Sequence, residues 1–133
     1  MRRHATRSAA ALLVVLALAG CADDNQPAVC DSLDAVRNSA DHVRDANVSE
    51  NGLSQVRSSL DQLKLDLQQL GTDAKTQFEP QVTAVKTAAD QLTTSVSAAK
   101  SDPTAATLAV VSDAIDSLGS AVNNLGDAMA DTC

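Results

Sequence analysis

The chain has 133 residues, with 10 basic and 17 acidic side chains, no Trp, no Tyr and one Phe. Its net charge of −7 disfavours nucleic acid and anionic lipid surfaces as partners. So few aromatic residues exclude a β-sandwich core and an aromatic-lined pocket, and the length suits one small domain.

The chain opens on MRRHATRSAA, with Arg2, Arg3 and Arg7 and no acid. An apolar run from Ala9 to Gly20 follows and stops at Cys21. A helix needs roughly 20 apolar residues to span a bilayer, and this run is shorter. A cationic start, a short apolar middle and small residues at the end describe a secretory signal. The last four residues, Leu18-Ala19-Gly20-Cys21, resemble the lipobox of bacterial lipoproteins. The resemblance implies a diacylglyceryl thioether on Cys21, cleavage just before it and acylation of the new amino group. Residues 1–20 are then a lipoprotein signal peptide, and the protein is expected to be extracytoplasmic and lipid-anchored to a bacterial membrane. Two acyl chains anchor stably where one is marginal. Two other readings stay open: an ordinary cleaved signal with Cys21 incidental, and twin-arginine export through Arg2-Arg3, whose flanking residues match poorly.

Without residues 1–20 the chain keeps 7 basic and 17 acidic residues, a net of −10. Its Ala- and Asp-rich, Lys-poor usage is similar to that of envelope lipoproteins from high-GC Gram-positive bacteria. No apolar run past Cys21 is expected to approach spanning length. Residues 21–29 read as the lipidated N-terminus and a short tether. The polar segment Ala22 to Ala28 spans at most about 25 Å, and Asp23 and Asp24 push it off an anionic surface.

Residues 30–133 read as the helical domain. A first helix runs from about Cys30 to Ala46. Asp31, Ser32 and Asp34 suit a helix start, and Leu33, Val36, Ala40 and Val43 form one face. NVSENG makes a turn, with Ser49 as the next N-cap. Leu53, Val56, Leu60, Leu63, Leu67, Leu70 and Ala74 then alternate steps of three and four, a heptad seam. Phe78 and Val82 each come four later, a stutter, before Val85, Ala89, Leu92, Val96 and Ala99 resume the alternation. The apolar face passes through Gly71-Thr72 and Pro80, so the spacing favours one kinked helix over residues 50–100. The alternative is a break, at Gly71 with Thr72 as the next N-cap or at Pro80, since an interior proline costs about 3 kcal/mol. Ser101 or Asp102 caps the last helix, with Pro103 near its first turn. That helix carries Leu108, Val111, Ile115, Leu118, Val122, Leu125 and Met129 on one stripe, flanked by Ala114, Ala121 and Ala128. Gly119 and Gly126, seven apart, mark either a tight crossing or weak spots.

The expected fold is all-α, an antiparallel helical hairpin or bundle with coiled-coil heptad packing. With one central helix or two, folding the flanking helices back brings Cys30 and Cys133 together. A lipidated Cys21 leaves these two as a disulfide pair, and export favours the bond. It closes a loop of about 100 residues, about 4.7 kcal/mol in the chain-entropy model.

Little points to chemistry. No Ser-x-x-Lys, Gly-x-Ser-x-Gly, His-Glu-x-x-His, P-loop or EF-hand pattern appears, so no catalytic residue, metal or cofactor is expected. His42, the one histidine after Cys21, lies beside the apolar face and reads as a surface residue. Asp31/Asp34, Asp41/Asp45 and Asp113/Asp116 read as solvated outward faces. Phe78 beside Pro80 fills the stutter or anchors a partner. Asn47-Val48-Ser49 fits a glycosylation sequon, discounted in a bacterial export setting. The murein lipoprotein is likewise a small helical heptad lipoprotein, but its family ends in a lysine joined to peptidoglycan. This sequence ends Asp131-Thr132-Cys133, so covalent wall attachment is not expected. The expected function is that of a non-catalytic, membrane-anchored envelope binding or scaffold module, with an envelope protein or a second copy as partner. The alternative is a helical lipoprotein that binds a small apolar ligand between its helices.

Overall fold

The computed structural model describes residues 27–133. The expected signal peptide over residues 1–20, the lipid site Cys21 and most of the tether lie outside the described residues. Among the described residues the fold is all-α, with four helices: α1 (Ala28–Asp45), α2 (Leu53–Ala74), α3 (Glu79–Ser101) and α4 (Ala105–Ala128). They pack in a ring, α1 on α2, α2 on α3, α3 on α4 and α4 on α1, with no diagonal pair. Ser32 and Ser39 of α1 bond Asp73 and Asp66 of α2, and Lys64 and Gly71 of α2 stand beside Asp90 and Lys86 of α3. Such contacts make neighbours antiparallel, and the whole an up-down-up-down bundle.

The apolar stripes read from the sequence are the faces that turn inward. All seven seam residues of α2, from Leu53 to Ala74, are buried. So are Val111, Ile115, Leu118, Val122 and Leu125 of α4, and Met129 just past it. Leu33, Val36, Ala40 and Val43 of α1 and Val82, Val85, Ala89, Leu92, Val96 and Ala99 of α3 complete one core. Burial of these faces, each apolar every three or four residues, drives the assembly.

The single kinked helix favoured over residues 50–100 does not form. The chain reverses between α2 and α3, where Lys75 (φ 57°) and Phe78 (φ 61°) take positive φ. Neither Gly71 nor an interior Pro80 makes the break. Gly71 stays inside α2, and Pro80 is the second residue of α3, where its missing N–H has no helical partner to lose. The stutter at Phe78 and Val82 is therefore the reversal itself.

Three smaller boundaries also differ from the sequence reading. Helix α1 begins at Ala28, with Pro27 at its N-cap and Val29 buried, so residues 28–29 belong to the domain and not to the tether. Gly52, not Ser49, holds the N-cap position of α2. Ser49 supports it from outside, its Oγ accepting from the Gly52 N–H at 3.2 Å. At the start of α4 the cap is Thr104 rather than Ser101 or Asp102. The Thr104 N–H donates to Thr107 Oγ1 at 2.9 Å and the Thr107 N–H donates to Thr104 Oγ1 at 3.1 Å, a reciprocal capping box. Ser101 instead turns back to donate to the Ser97 carbonyl.

Contrary to the expectation for the chain past Cys21, α4 is long and apolar enough to cross a membrane by length and composition. Here it lies in the bundle, its stripe against α3 and α1, with Asp113, Asp116, Asn123 and Asn124 exposed.

Candidate functional site

The two ends of the described chain meet. Cys30, buried in the first turn of α1, is disulfide-bonded to Cys133 with the Cα atoms 5.6 Å apart. A turn after α4 brings Cys133 there, its N–H donating to the Met129 carbonyl at 2.9 Å. The Ser32–Asp73 bond places the α2–α3 turn at this same end. From this end the chain leads back from Pro27 toward Cys21.

The α1–α2 seam carries a repeated polar tripod. Ser32 Oγ donates to Asp73, and Ser39 Oγ donates to Asp66. Gln69 Nε2 donates to the same Asp73 carboxylate at 3.1 Å, and Gln62 Nε2 to Asp66 at 3.2 Å. Both serines are buried, and each member recurs seven residues on, one heptad along its helix. Buried hydroxyls need such partners. The tripods also fix which residue of α1 stands opposite which of α2. The sequence signal was there in the heptad spacing of Ser32/Ser39 and Asp66/Asp73, each one residue before an inward position.

Bonds from Ser32 and then Gln69 stabilise the charged form of Asp73 and hold its carboxyl below its ordinary value of 3.8, more than partial burial raises it. A depressed folded-state value stabilises the fold above the unfolded value, and that contribution is lost as pH falls through the folded one. Thermal midpoints measured from about pH 6 to about pH 2 should therefore fall on the acid side of 3.8. Asp73→Asn should be less stable than the parent near neutrality, and the gap should close in acid.

The α1–α4 seam explains the spaced glycines. The Arg37 guanidinium rests where a side chain on Gly126 would stand, and Arg44 Cδ lies 3.7 Å from a Cβ built on Gly119. Each arginine also faces a carboxylate one turn back, Asp34 and Asp41, both at 3.8 Å. Both glycines face arginine side chains of α1 and no backbone of it, so they seat side chains and do not mark a tight crossing of helix backbones.

Between α2 and α3 runs an open groove of about 480 Å³ near the turn. It holds Lys75 and Lys86, and its continuation along the helices holds Lys64. The sequence reading missed this cluster.

The remaining expected residues fall as follows. Asp31/Asp34, Asp41/Asp45 and Asp113/Asp116 are exposed, as is His42. Among the described residues no three His, Cys, Asp or Glu side chains are grouped to hold a metal. Phe78 is half-buried and packed against the core at the α2–α3 turn. Asn47 is exposed in the α1–α2 loop. Compared with known proteins, the chain matches no family model, no curated protein and no solved structure.

Proposed function

We propose that this protein is a non-catalytic lipoprotein of a bacterial cell envelope, held by lipid on Cys21, whose helical domain is a binding or scaffold module. The observation that carries the reading is the closed end of the bundle. Cys30 and Cys133 are joined there, so a tether from Cys21 would hold the domain by one rigid end and direct the α1–α2 and α3–α4 loops away from the membrane. An acidic exterior, with Asp34, Asp41, Asp113, Asp116 and Asp127 exposed on α1 and α4, gives such a module a surface for an envelope protein or a second copy. The alternative, a small apolar ligand between the helices, is less well supported. Leucine, valine and alanine fill the interior, and the α2–α3 groove is open and lined by lysines and threonines.

Metabolic labelling with a clickable palmitate tests the anchor. The parent should be labelled and membrane-bound, and Cys21→Ser should be unlabelled and released. Label persisting on Cys21→Ser would refute the assignment. Cross-linking in cells then separates the two roles: capture of an envelope protein or of a second copy fits the module, whereas co-purification of a bound apolar lipid alone fits the alternative.

A further inference from the structure

Seven basic residues follow Cys21, against 17 acidic ones. Three of the four lysines among them, Lys64, Lys75 and Lys86, line the α2–α3 groove. Lys64 is paired with Asp90 at 3.7 Å. Lys75 and Lys86 make no ion pair among the described residues. In so acidic a chain a solvated cation gains most beside a carboxylate. Here two ammonium groups share one concavity near the turn, with Glu79 the single carboxylate lining it among the described residues. Thr76 and Thr83 line the same space, each with a hydroxyl to donate. That of Thr72 is committed to the Gln68 carbonyl at 3.0 Å.

Two features of the backbone shape the groove. Gly71 sits in the last turn of α2 with negative φ, so its conformation does not require glycine, and glycine is unfavourable in a helix relative to alanine. A Cβ there would lie 3.5 Å from Lys86 Nζ. The bare glycine leaves the floor open beneath that ammonium. Lys75 is held at φ 57°, where glycine or asparagine is the usual residue, and there it lines the groove.

We propose that this groove binds a phosphate-bearing anion, with Lys75 and Lys86 pairing with it and the Thr76 and Thr83 hydroxyls donating to its oxygens. A phosphate monoester carries close to two negative charges at neutral pH and three acceptor oxygens. With Glu79 the groove carries a net charge of +1, and the oxygens of a phosphate can accept from both ammonium groups and both hydroxyls at once. The volume, about 480 Å³, holds a headgroup or a small phosphate ester. The groove lies at the end of the bundle from which the chain leads back to Cys21, so a lipid headgroup is within reach if the anchor holds. The site itself does not depend on the anchor.

The test uses the mature chain, residues 21–133 with Cys21→Ser, so that neither lipid nor the cationic, apolar segment of residues 1–20 binds the vesicles. One arm titrates inorganic phosphate and follows backbone amide shifts. The other floats the protein with phosphatidylcholine vesicles, with and without phosphatidic acid. The expected result is saturable shifts at Thr76, Thr83 and Lys86 with a Kd of about 1 mM, or flotation only with phosphatidic acid. A response to vesicles alone assigns a headgroup, a response to phosphate alone a soluble ester, and either supports the site. Lys75→Gln with Lys86→Gln should weaken the response at least about tenfold. Gly71→Ala should weaken it about threefold. The charge-matched pair Arg57→Gln with Lys100→Gln, outside the groove, should change it less than about twofold. No saturable response in either arm would overturn the proposal, as would equal weakening by the charge-matched pair.

Discussion

Replacing Cys30 and Cys133 together by alanine should lower the thermal midpoint by about 15–20 °C. The bond spans 103 residues, and constraining a loop of that length in the unfolded chain is worth about 4.7 kcal/mol in the entropy model. A domain of this size loses about 4 °C per kcal/mol. The native structure adds a reason for a full effect. Arg37 stands at Gly126 and Arg44 at Gly119, so α1 runs out about halfway along α4. The α1–α4 seam that closes the ring is therefore the shortest, and the disulfide fastens its end. Circular dichroism melts of the parent and the double variant measure the difference, and reductant should bring the parent down to the variant. A drop of less than about 5 °C would mean that the α1–α4 packing holds the ring closed without the bond.

The helices, the inward stripes and the disulfide were legible because each rests on short-range periodicity or on simple length arithmetic. The residues from Leu53 to Ala74 and from Leu108 to Met129 step by threes and fours, and only a helix puts such residues on one face. The reversal at residues 75–78 was not legible. Ala74, Phe78 and Val82 keep a helical step of four across it, and the turn uses lysine and phenylalanine at positive φ, types that rarely mark a turn. That one error hid the lysine groove. Lys64, Lys75 and Lys86 lie eleven apart, and on a straight helix the outer two would be about 33 Å from each other. Folded as a hairpin, α2 and α3 bring them into one groove. The serine–aspartate tripods were hidden for a different reason. Apolar spacing says which face turns inward but not which flank of that face meets which neighbour.

Gly52→Ala should destabilise the bundle by about 3 kcal/mol and lower the midpoint by about 12 °C. Gly52 is buried at the N-cap of α2, and its φ of −91° is open to any residue, so the need for glycine is spatial. A Cβ there would overlap the Asn47 carbonyl oxygen and stand 2.8 Å from the carbonyl carbon. That carbonyl cannot swing away freely, because it accepts from the Ser49 N–H at 3.0 Å. The Gly52 N–H in turn donates to the Ser49 carbonyl at 2.9 Å. Moving either strand of the turn breaks both bonds, each worth about 1 kcal/mol, and tilts α1 against α2 where Val43, Ala46 and Leu53 pack. Gly126→Ala is the informative comparison. Its new methyl meets the far end of the Arg37 side chain, which can bend aside, and alanine gains about 1 kcal/mol of helix propensity. Its midpoint should stay within about 4 °C of the parent. The same substitution thus separates a glycine fixed against backbone from one that only seats a side chain. Equal losses at the two positions in denaturant or thermal unfolding would show that the α1–α2 turn yields as readily as an arginine.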